Sequence, residues 1–140
     1  MAHWRRPESI IARNDQHMTR WIFLSAAIVN ALVAGLFTAM PKTMYESMVH
    51  GAAPDNVAGV MYLFATAVFV FGLGYYWVAR DFHKNRQIAK LAVFGKLGVF
   101  CVAIAAWLVG ALSLSGLAGS LIDFTYGLLF AYALKQNPAR

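Results

Sequence analysis

Four long apolar runs, separated by short polar stretches, set the plan of this chain. The second and third meet across the segment 72–98, GLGYYWVARDFHKNRQIAKLAVFGKLG, whose middle is a basic turn holding Arg80, Lys84, Arg86 and Lys90. About 20 apolar residues suffice for a helix to cross roughly 30 Å of hydrocarbon. The pattern therefore predicts spans at about 21–40, 57–79, 89–112 and 118–134. Pro41 closes the first, Pro54-Asp55-Asn56 supplies turn and N-cap chemistry ahead of the second, and Pro138 follows the end of the fourth. Short connections make consecutive spans antiparallel neighbours, so the expected fold is all-α, an up-down bundle of four transmembrane helices. A closed barrel does not fit runs this long that lack alternation.

The polar stretches give the chain a direction. Residues 1–19 form a tail of mixed charge, with a short surface helix as one option, and Trp21 opens the first span directly behind it. Residues 41–56 are too polar for lipid and have room for an interfacial helix at 43–49. Residues 113–118, small and uncharged, are expected to be a tight turn. Of the 12 Lys and Arg, four lie ahead of the first span, four in the basic turn and two at the C terminus, leaving Lys42 in the 41–56 loop and Lys96 inside a span. Loops rich in Lys and Arg stay on the cytoplasmic side, so both termini are expected there.

Composition agrees with lipid as the solvent. The chain is 60% hydrophobic and 13% charged, whereas soluble domains carry about a quarter charged residues. Its net charge of +6 could suggest nucleic acid, but the basic residues flank apolar runs, which is the arrangement for a membrane surface. Nucleic acid is therefore not expected as a partner. The single cysteine, Cys101, lies within an apolar run and is expected to be a buried thiol; one cysteine makes no intrachain disulfide and no cysteine-based metal site. Haem held between helices needs an axial ligand within the membrane, and His3, His17, His50 and His83 all fall outside the spans. No haem, other cofactor or metal is predicted.

Polar residues inside the spans are the candidate site. Counting about 1.5 Å per residue from the nearest flanking cation places Asn30 about 15 Å deep, Asp123 about 18 Å and Lys96 about 9 Å. Tyr126 stands one turn from Asp123. An acid at mid-membrane costs at least about 2.5 kcal/mol to insert unless it is paired, neutral or hydrated, and Lys96 is its expected partner. The cluster Asp123, Lys96, Tyr126 and Asn30 can be a proton-carrying or ligand-anchoring group, or a structural link fixing helix register; Asn30 and Thr66 are read as such links. No catalytic signature accompanies it, and the chain is read as non-enzymatic.

Within 72–98, the run Gly72, Gly74, Tyr75, the turn Ala79, Arg80, Asp81, then Asn85, Arg86 and the pair Gly95, Lys96 resemble small bacterial membrane proteins of the DoxX-like kind. The fourth-span run from Asp123 to Phe130, DFTYGLLF, is similar to theirs as well. The resemblance implies a four-helix architecture in a bacterial inner membrane. Some members are linked to quinone-dependent sulfur or redox chemistry, but this chain has no cysteine pair or cofactor motif to carry that over. Three functions follow as expectations. The first is an accessory or assembly subunit packed against another membrane protein or a second copy. The second is a binder or carrier of a quinone or lipid through Asp123, Lys96, Tyr126 and Asn30. The third is a proton-coupled transporter.

Overall fold

The computed structural model describes residues 7–138, and the reading of the first six residues lies outside them. Five helices follow in order: α1 (Pro7–Ala39), α2 (Pro41–Met48), α3 (Val57–Arg80), α4 (Arg86–Leu108) and α5 (Leu114–Gln136). All but α2 are long and apolar enough to cross a membrane. The protein is an integral membrane protein of the all-α, up-down type.

Local chemistry explains most boundaries. Helix α1 is a single element of 33 residues, about 50 Å long, so the polar stretch from Pro7 continues into the span as helix rather than forming a separate surface helix. Its apolar part is Gln16–Ala39. Proline at the start of α2 has no N–H to leave unpaired there, and the short interfacial helix falls where the 41–56 loop had room for it. Helix α3 begins at Val57 as expected, although Asn56 makes no side-chain cap bond. The basic turn is held by its own polar groups: Asp81 Oδ1 accepts the Lys84 N–H at 3.0 Å, and the Asn85 amide donates to the Trp77 and Asp81 carbonyls at 3.0 and 2.9 Å.

The third connection departs from expectation. Helix α4 stops at Leu108 and α5 starts at Leu114, so the turn is 109–113 and most of the predicted turn 113–118 is helix. Gly110, at φ +75°, takes the left-handed conformation that ends a helix cheaply. The Ala111 N–H then reaches the Ala106 carbonyl at 2.9 Å and the Gly110 N–H reaches that of Trp107 at 3.0 Å, the two bonds of a Schellman stop. Ser113 is the N-cap of α5, its hydroxyl accepting the Gly116 N–H at 3.1 Å.

Packing divides the bundle into two antiparallel pairs, α1 with α3 and α4 with α5, which touch each other far less than their members do. At the end that carries the basic turn, all four spans share one core. Phe23 stacks on Phe130 with centroids 4.3 Å apart, Tyr75 lies 5.1 Å from Phe130, and Val78, Ala89 and Ala92 fill between them. Two further ties close this end: Asn137 Nδ2 donates to Thr19 Oγ1 at 3.0 Å, and the Arg86 guanidinium donates to the Leu134 carbonyl at 3.2 Å and to that of Asn137. At the α2 end, the core is Ala34, Phe37 and Ala65 with Met44, Met48 and Met61, all from α1, α2 and α3. There α5 is joined through α2 alone: the Ser113 N–H donates to the Met48 carbonyl at 2.8 Å, and Val49 pairs with Leu112 as an isolated bridge.

Two residues face lipid where the sequence suggested otherwise. Cys101, expected to be buried, is exposed. Thr66 is exposed as well, and its hydroxyl bonds the Tyr62 carbonyl of its own helix at 2.8 Å instead of linking two helices.

Candidate functional site

The centre of the molecule is one amide. Asn30, 5% exposed on α1, donates from Nδ2 to the Val68 carbonyl of α3 at 3.0 Å and accepts the Lys96 ammonium of α4 on Oδ1 at 3.1 Å. Its approach to α3 depends on Gly72: a Cβ there would stand 3.1 Å from Asn30 Cβ and 3.3 Å from the Ala27 carbonyl oxygen. Lys96, 8% exposed, also donates to Asp123 Oδ1 on α5, forming the only ion pair among the described residues. The ammonium lies 5.6 Å from the centroid of the Tyr75 ring, a cation–π contact favoured in a dry site. One lysine thereby draws α1, α3, α4 and α5 to a point, at the level where the shared aromatic core gives out.

The depth difference of about 9 Å between Lys96 and Asp123 is closed by the lysine stem, so the contact is direct. One turn along α5, Gly127 lets the helices approach: a Cβ there would fall 2.7–2.9 Å from the Leu97 side chain. The ammonium has three protons, and carboxylate, amide oxygen and aromatic face give each a destination. Asp123 keeps a quarter of its side-chain surface exposed, 25%, against 9% for Lys96.

Tyr126 belongs elsewhere. Its hydroxyl donates to Ser25 Oγ on α1 at 3.1 Å and makes no bond to Lys96 or Asp123, because the step from 123 to 126 turns the side chain toward α1. The Ser25–Tyr126 bond lies in an open groove of about 770 Å³ between α1 and α5, walled by Met18, Trp21, Ile22, Leu121, Ile122 and Leu129 and dotted with the hydroxyls of Ser25, Thr125 and Tyr126. The four predicted site residues thus split into an interior trio and one groove residue. Sequence reasoning missed Ser25, Tyr75 and the Val68 carbonyl; the small residue at 72 opposite Asn30 was the available signal for a close α1–α3 approach.

A second, smaller cavity of about 260 Å³ opens at the basic end beside Arg20, Arg80, Asp81 and His83. Among the described residues, no three His, Cys, Asp or Glu side chains come together in a way that could hold a metal ion.

Compared with known proteins, the chain matches no family model, no curated protein and no solved structure. These comparisons therefore give the resemblance to DoxX-like proteins no support.

Proposed function

We propose that this protein is a non-catalytic integral membrane protein that holds a small lipophilic molecule in the groove between α1 and α5. The observation that carries this reading is the groove itself: about 770 Å³ of apolar wall at membrane depth, with one small patch of hydroxyls. Ligand sites have this form, a few hundred cubic ångströms lined by apolar and aromatic side chains with a few polar groups for orientation. The Lys96–Asp123–Asn30 trio then serves the scaffold. Its charges neutralise each other in the interior, so the groove is left free of any ionised group. In this reading the basic end faces the cytoplasm, as in a bacterial inner membrane.

The test is native mass spectrometry of protein released from nanodiscs. A constant added mass should survive delipidation in the native chain and vanish in Thr125→Trp, which fills the groove from an exposed position. It should persist when Lys96→Met and Asp123→Leu are combined. Retention of the same mass by Thr125→Trp sinks the proposal; loss in the Lys96/Asp123 double variant alone moves the ligand to the trio.

A second reading, an accessory subunit, draws on a different observation. Near α2 the two helix pairs share no core, leaving lipid-facing surfaces of α4 and α5 that another membrane helix could bridge. A partner at constant stoichiometry that survives Thr125→Trp would favour it.

A further inference from the structure

The groove's polar atoms have a direction. Ser25 Oγ donates to the Ile22 carbonyl at 2.9 Å, Thr125 Oγ1 donates to the Leu121 carbonyl at 2.8 Å, and Tyr126 Oη donates to Ser25 Oγ. Each of the three hydroxyls has one proton, and each proton is committed within the protein. What the groove still presents is lone pairs. Tyr126 Oη accepts no hydrogen bond from any described group, and neither does Thr125 Oγ1.

We infer that the molecule seated between α1 and α5 is a lipid alcohol or phenol, which donates its hydroxyl proton to Tyr126 Oη, and not a carbonyl lipid such as a quinone. This rests on the groove being the binding site. A carbonyl ligand can only accept, so it would have to draw the Tyr126 proton away from Ser25 and gain one bond by breaking another. A hydroxyl adds a bond to the chain already running from Tyr126 through Ser25 to the Ile22 carbonyl, leaving every existing partner in place. With lipid on the open side and no water to compensate, that difference sets the preference. The hydrocarbon part of such a ligand meets Trp21, Ile22 and Leu129, and the volume of the groove suits a single chain or fused-ring body.

Ser25 acts as the polarity switch. Removing its oxygen releases the Tyr126 proton into the groove, turning an acceptor site into a donor site. Cetyl alcohol, cetyl methyl ether and methyl pentadecyl ketone make a matched set: one donates and accepts, and two only accept. Binding of each to the protein in nanodiscs is followed by native mass spectrometry. In the native chain the alcohol should bind on the order of five-fold tighter than the ether or the ketone, the equivalent of one hydrogen bond. In Ser25→Ala the ketone should gain several-fold over its own binding to the native chain, and the alcohol's advantage over it should disappear. The combined Ser25→Ala and Tyr126→Phe change should bind all three alike. The ether, which also only accepts, should gain with the ketone in Ser25→Ala, and its return to the native affinity in the combined variant shows that the groove is intact. A native chain that prefers the ketone, or does not discriminate, overturns the inference while the groove remains the site. If Thr125→Trp weakens none of the three probes, the proposed site falls with it.

Discussion

The two ends of this bundle are built by different means. At the basic end four helices share one aromatic core, and side-chain bonds from Arg86 and Asn137 hold the C terminus of α5 against its neighbours. Near α2 the core belongs to α1, α2 and α3, and α5 is attached through backbone and serine bonds to Ser47 and Met48. Lipid tails are as apolar as the side chains, so burial from water drives neither end. Close packing and hydrogen bonds must do so. The contrast shows how a small membrane protein can be knit by side chains from all its spans at one end and joined through a short helix at the other, with the Lys96–Asp123–Asn30 trio between them.

The largest effect is expected at that boundary. Asp123→Leu alone strands the Lys96 ammonium among apolar helices and should cost about 3–5 kcal/mol. The combined Lys96→Met and Asp123→Leu change should be milder than the sum of its parts. Thermal unfolding in detergent measures the cycle, and strictly additive losses would mean that Lys96 and Asp123 are not coupled.

Next in size is the aromatic core. Phe130 is fully buried against Phe23, Tyr75 and Tyr126, so Phe130→Ala should cost about 3 kcal/mol. Phe37 has one aromatic neighbour, Phe64, and stands in the smaller core. Its change to alanine should cost roughly half as much. Equal losses at the two positions would erase the contrast.

A smaller, local effect should follow at Gly116. A Cβ there would lie 2.7 Å from the Met48 carbonyl oxygen and 2.9 Å from the Leu112 side chain, and the backbone atom has no way to yield without moving α2. Gly116→Ala should cost about 1–3 kcal/mol of overpacking. Hydrogen exchange should quicken in α2 and the 109–113 turn while the basic end keeps its protection. Faster exchange throughout the bundle would show that the ends are not separable.

How far each of these features was legible depended on the kind of information required. Span number and order came from apolar length, which lipid enforces directly, and Val57 was placed by the turn chemistry before it. The α4–α5 junction was missed because two serines and a glycine read equally as a turn or as the capped first turn of a helix; Gly110, three residues earlier, is the actual stop. For the site, depth along the helix axis is enough to bring Asn30, Lys96 and Asp123 together. It carries no information about rotation around that axis. Tyr126 was accordingly assigned to the trio instead of the groove, and Cys101 was taken as buried. Those features depend on which faces meet, and that is decided by packing at small residues such as Gly72 and Gly127.

The Lys96–Asp123 pair also bears on how the chain enters the membrane in the first place. Helix α5 is the least apolar of the four spans and carries the acid, while α4 precedes it by a five-residue turn and carries the base. Offered singly to the bilayer, each would present a charge costing about 2.5–3.5 kcal/mol at the helix centre. Offered together as a hairpin, they enter as a neutral unit. The pair thereby ties the order of synthesis to the final architecture: the charge on α4 finds its counter-charge only once its successor has arrived, and the hairpin closed by Gly110 and Ser113 is the smallest piece of this half that carries no unpaired charge inside its spans.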